Sequence, residues 1–167
     1  SLTGATTGLN VTGAGTALNV TGASVGGAGK LTVAAGSNLG LSAGTLGGSG
    51  TIADNGAFNW SGGGTSTVGG SGPFNVNGTM VVTGAGDKII NARTLTLNGS
   101  GSWDGTGRVV LNNSGALSVG STGVLTVTGD GTIDCTVAPC GSMSNAGMIQ
   151  KTGGAGTLLE NRAEIPL

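Results

Sequence analysis

The chain has no histidine and no tyrosine, and only two phenylalanines, two tryptophans and three prolines among its 167 residues. It therefore cannot fill a wide core with large side chains, although Leu, Val, Ile and Ala can fill a narrow one. Charge is equally scarce: six basic and seven acidic residues leave a net charge of -1. The cations Lys30, Lys88, Arg93, Arg108, Lys151 and Arg162 are scattered singly along the sequence. Phosphate-backbone binding rests on grouped Lys and Arg, so a nucleic-acid partner is not expected. No apolar run reaches the roughly 18 residues of a membrane span, so no membrane insertion is expected. The sequence opens at Ser1 within repeat-like residues and without a signal peptide, which reads as a mature product or an excised segment.

Two cysteines, Cys135 and Cys140, flank Thr136-Val137-Ala138-Pro139. A disulfide closing this small loop is the preferred reading, and it implies an oxidising, extracytoplasmic setting. The alternative is a pair of buried thiols acting as small hydrophobes. Two Cys without His cannot make a four-ligand zinc site. Four intervening residues also argue against a redox motif, and no cofactor is expected.

What the sequence does have is glycine: 38 residues, against a usual share of about 7%. Four Gly-Gly-x-Gly turns stand out, at Gly26-Gly27-Ala28-Gly29, Gly47-Gly48-Ser49-Gly50, Gly69-Gly70-Ser71-Gly72 and Gly153-Gly154-Ala155-Gly156. The first three are about 21 or 22 residues apart, and the fourth follows at close to four more such steps. A period of this size marks a solenoid.

A finer alternation runs through the same sequence, in Leu9-Asn10-Val11, Leu31-Thr32-Val33, Phe74-Asn75-Val76 and Leu125-Thr126-Val127. Period two puts the apolar pair on one face and the polar residue on the other, so these are short strands. They recur about every eight residues, giving three strands and three turns per coil. The expected fold is an all-β parallel β-helix of about seven coils with a narrow aliphatic core, a rod about 34 Å long. Glycine suits the corners because sharp bends need positive φ. The strands are too short for an antiparallel sandwich. The solenoid domain is expected over 1–160, with 161–167 a non-repeat tail that is a cap, a donated strand or a truncated repeat.

The stretches Gly50-Thr51-Ile52 through Ala57-Phe58-Asn59-Trp60-Ser61-Gly62-Gly63, and Asn145-Ala146-Gly147-Met148-Ile149-Gln150-Lys151 through Gly156-Thr157, resemble repeats of large bacterial surface proteins. Those are the β-helical passenger regions of autotransporters and filamentous-haemagglutinin-like adhesins. The resemblance implies an extracellular rod at the bacterial cell surface, adhesive or structural. It carries over no catalytic residue.

Parallel β-helices also host glycan-cleaving enzymes, which need two carboxylates flanking the bond. The carboxylates are Asp54, Asp87, Asp104, Asp130, Asp134, Glu160 and Glu164. Asp130 and Asp134 come nearest to a pair, but an extended segment would hold them roughly 13 Å apart. They read as turn and solvent-face residues, and no enzyme is expected. A calcium roll requires Asp two residues after each Gly-Gly-x-Gly. Those positions hold Leu31, Ile52, Phe74 and Leu158, so no metal is expected.

The Thr-x-Thr-like triplets Thr65-Ser66-Thr67, Thr94-Leu95-Thr96 and Thr126-Val127-Thr128 do not recur at the coil period, which disfavours an ice-ordering face. The sequon asparagines Asn10, Asn19, Asn59, Asn77 and Asn98 read as ladder residues that share amide hydrogen bonds between coils. A rod of this kind has open strand edges at its ends, which are templates for pairing. The expected partners are other copies of the chain or adjoining coils of a longer one. The second expectation is a carbohydrate-binding module that holds host or matrix surface glycans on exposed Trp60 and Trp103.

Overall fold

The computed structural model describes residues 2–4 and 8–156. Their regular structure is entirely β-strand, wound into a parallel solenoid of about six turns where about seven were expected. One seven-stranded sheet stacks Leu9–Val11, Leu31–Val33, Ile52–Asp54, Phe74–Val76, Thr94–Leu97, Ala116–Val119 and Ser142–Asn145. This is the first face. A twelve-stranded sheet supplies the other two, because Ala17–Gly27 and Asn38–Leu46 bend from one face to the next. Asn38–Leu46 pairs first with Ala57–Trp60, on the second face, and then with Ser66–Gly69, on the third.

Alternation along each strand determines what points inward. On the first face Leu9, Leu31, Ile52, Phe74, Leu95, Leu117 and Met143 stand in register. The steps between them are 21 or 22 residues, until Leu117 to Met143 takes 26. The longer step contains the Cys135–Cys140 loop. On the second face the inward column runs Val20, Leu41, Trp60, Val82, Trp103, Val127 and Lys151. Like mostly stacks on like, so the core is a set of largely apolar columns.

All four aromatic residues lie in this core: Phe58, Phe74, Trp60 and Trp103 are each at most 1% exposed. Phe58 packs on Phe74 with ring centroids 4.8 Å apart.

The first three Gly-Gly-x-Gly turns stack on one corner, between the third and first faces. At Gly48 and Gly70 φ is +87° and +96°, a conformation that side chains disfavour. A second reason for glycine acts beside it. A Cβ on Gly50 would run into the Gly29 carbonyl of the coil below, and one on Gly72 into the Gly50 carbonyl. Backbone stacks directly on backbone there.

The fourth turn departs from expectation. Gly153, Gly154 and Gly156 pack on Thr128, Gly129 and Asp130, at the corner that follows Met148–Lys151 on the second face. It belongs to a different corner from the other three, because equal sequence spacing no longer means equal position once a coil lengthens to 26 residues. Residues 161–167, with Leu158, Glu160, Arg162 and Glu164, lie outside the described residues.

Candidate functional site

Three ionisable side chains, Asp54, Lys88 and Arg93, are at most 1% exposed, and the first two take inward strand positions that alternation assigns to aliphatic residues. Asp54 is fully buried in the column that otherwise reads Val11, Val33, Val76, Leu97 and Val119. Its Oδ1 accepts the Gly56 N–H at 2.8 Å, while Oδ2 is buried without a partner. Burial pushes its pKa up to about 6, with the Gly56 hydrogen bond opposing part of the rise. Lys88 is 1% exposed, and its ammonium donates to the carbonyls of Gly86 at 2.8 Å and Gly62 at 3.3 Å. Burial lowers its pKa, and neighbouring Asp87 offsets part of that.

Arg93 is the third. Glycine fills its corner position on neighbouring coils, as Gly50, Gly72 and Gly115, whereas the Arg93 side chain is buried at 1% exposure. Its Nη2 donates to Gly48 O at 2.7 Å, and more weakly to Gly47 O at 3.3 Å and Gly50 O at 3.5 Å. Its Nε and Nη1 are buried without partners, and burial lowers its pKa. Both buried cations thus bind backbone carbonyls at corners, where chain reversal leaves oxygens outside the strand ladders.

A surface ionic cluster involves Arg108. Its guanidinium grips Asp87 through Nε at 3.1 Å and Nη2 at 2.6 Å, and reaches Asp134 through Nη1 at 2.8 Å. The Asp87 hydrogen bond does most to raise the Arg108 pKa. Singly scattered charges in the sequence are therefore gathered by coil stacking. Asp134 corrects the solvent-face expectation: it is 2% exposed, held between Arg108 and the Cys135 N–H, to which its Oδ1 lies at 2.7 Å. Asp130 remains exposed. It accepts the Gly156 N–H at 2.7 Å, which leads in lowering its pKa, and pairs with Lys151 at 3.7 Å.

Cys135 and Cys140 are joined by a disulfide. Their loop is also docked: Asn112 Oδ1 accepts N–H bonds from Thr136 and Val137, both at 2.9 Å. Trp60 and Trp103 correct the glycan-platform expectation. Both indoles are 1% exposed and point into the core, and Trp60 Nε1 donates to Ser66 Oγ at 2.8 Å. The residues two after the first three Gly-Gly-x-Gly turns, Leu31, Ile52 and Phe74, are buried and apolar.

No protein-family model, curated protein or solved structure matches the chain. The geometry alone therefore has to carry a functional reading.

The outer faces are quiet. The three Thr triplets fall on three different faces, in or beside Ser66–Gly69, Thr94–Leu97 and Val124–Val127. An asparagine ladder is present at the corner between the first and second faces. Asn77 Nδ2 donates to Asn55 Oδ1 and Asn98 Nδ2 to Asn77 Oδ1, each at 2.9 Å. A shorter one joins Asn113 to Asn91 at 2.6 Å. Of Asn10, Asn19, Asn59, Asn77 and Asn98 only the last two take part, because Asn10 has Thr32, Asn19 has Gly40, and Asn59 has Gly40 and Val81 as neighbours across the strands.

The two ends of the described part of the rod differ. Inward residues of the first described coil are apolar, including Leu9 at 37% exposure. In the last, two inward columns finish on Asn145 and Lys151. Lys151 turns its ammonium to the carbonyls of Gly129 and Gly153, both at 2.7 Å.

Proposed function

We propose that the chain is a non-catalytic structural module of an extracellular bacterial fibre or adhesin stalk, extended through its strand edges by further coils or other copies. The observation that supports this most is the parallel ladder itself. Among the described residues, Leu9–Val11 and Ser142–Asn145 each pair on one side only, as the outermost strands of their sheet. Each has hydrogen-bonding groups directed along the rod axis, ready to accept another coil. Stacking by translation along one axis is open-ended and builds a filament.

Two further features favour the reading. The buried polar groups Lys88 and Arg93 are spent on corner carbonyls, which stiffens the coils. The Cys135–Cys140 bridge suits an oxidising exterior. The cell-surface and adhesin assignment follows from the repeat resemblance.

Electron microscopy with sedimentation velocity over a wide concentration range tests the assembly. Particles should lengthen with concentration in steps of about six coils, or about 29 Å. Uniform single rods at the highest concentration would sink the self-assembling version.

A further inference from the structure

The outward surface of the second face has one gap. Asn19, Gly40 and Asn59 are in register on three successive strands, so a glycine stands between two amides. At the neighbouring corner the same spacing is filled throughout, and Asn55, Asn77 and Asn98 bond one to the next. With the middle rung missing, Asn19 and Asn59 make no side-chain hydrogen bond to any described residue. Their strands lie two spacings apart, about 10 Å. The Asn19 side-chain oxygen leans over Gly40, into the place a Cβ would take.

The result is a groove of about 210 Å³, lined on its polar side by Asn19, Thr21, Gly40, Ser42, Asn59 and Ser61. The adjoining Val20 and Leu41 are buried and turned into the core. No charged side chain lines it, so an ionic ligand finds no counter-charge. The groups present are two amides and three hydroxyls, each both donor and acceptor. The volume corresponds to about seven waters at their liquid share. A ligand that displaces them has to replace their hydrogen bonds in kind.

We infer that this groove is a binding subsite for one neutral sugar ring of a glycan, held by the Asn59 amide and by the Asn19 amide that lies over Gly40. The inference stands apart from the filament reading, since a single rod carries the whole groove. It also differs from the Trp-based platform, whose indoles are buried. Without an aromatic face to stack on, binding is weak and set by hydrogen bonds.

The test is a titration of the isotope-labelled protein with the methyl glycosides of glucose, galactose, mannose and N-acetylglucosamine, followed by NMR. At least one glycoside should move the Asn19 and Asn59 side-chain amide signals saturably, with Kd in the millimolar range. Gly40→Asn fills the gap once the Asn19 side chain swings aside, and should abolish the response. Asn19→Ala/Asn59→Ala removes both amides by a route that leaves the glycine untouched, and also abolishes it. No saturable shift with any of the four glycosides overturns the inference. So does binding that survives either variant.

Discussion

Arg93 Nη2 donates to the carbonyl of Gly48 at 2.7 Å, across 45 residues of sequence. The corner turns stack Gly48, Gly70 and Ala92 on successive coils, so this single bond spans two coils of the rod. A guanidinium laid along a column of glycines ties together turns that the strand ladders join only pairwise.

Replacing it measures that tie. Arg93→Met keeps the length and apolar stem and leaves the Gly48 carbonyl without its charged donor. The expected loss is about 2 kcal/mol, the range for hydrogen bonds to charged groups. Urea unfolding should show a lower midpoint at unchanged slope, and an unaltered midpoint would show that the buried charge costs as much as its bonds return.

Asp54 makes stability fall as pH rises. Its folded pKa, about 6, lies above the ordinary 3.8, so the folded state holds its proton more tightly than the unfolded chain does. Its carboxylic acid form is therefore fully accommodated below about pH 4, and stability declines from there through pH 6. The loss comes to about 3 kcal/mol at about 1.4 kcal/mol per pH unit. Asp54→Asn keeps an oxygen for the Gly56 N–H and should be the more stable protein at pH 7.5. Thermal melts between pH 4 and 8 should show this slope in the parent and its absence in the variant.

The corner glycines separate by position. Gly50→Ala drives a methyl into the Gly29 carbonyl and should cost about 3 kcal/mol or more, or prevent folding. Gly63→Ala meets nothing within 4 Å and has no positive φ, so it should be neutral or stabilising by up to about 1 kcal/mol. Equal effects of the two on the melting temperature would contradict backbone-on-backbone stacking as the reason for the repeat.

Opening the Cys135–Cys140 bond should cost about 2 kcal/mol from the freed loop entropy. Asn112 still holds the Thr136 and Val137 N–H groups, so the coils themselves should persist by circular dichroism. Dithiothreitol should lower the melting temperature of the parent protein and leave Cys135→Ser/Cys140→Ser unmoved.

The rod was legible because its signals are local. Alternation in Leu31-Thr32-Val33 or Phe74-Asn75-Val76 orients side chains within three residues, and the spacing of Gly47-Gly48 and Gly69-Gly70 sets the coil length. The small apolar inventory dictated a narrow core. These determined a parallel solenoid with inward Leu, Val and Ile, the buried positions two after each of the first three turns, and a disulfide as the preferred state of the two cysteines.

Only the tertiary structure decided which residues become neighbours across coils, because that depends on the cumulative register of segments 21 to 26 residues apart. Coils lengthened to 24 and 26 residues moved Gly153-Gly154 to another corner, and stacking gathered Asp87, Arg108 and Asp134 into one cluster. Inward pointing buried Trp60 and Trp103, which composition could not distinguish from surface anchors. Stacking alone made Asn77 a ladder rung and Gly40 a gap between Asn19 and Asn59. Sequence supplies the repeat, but the contents of each column are known only when the coils are laid on one another.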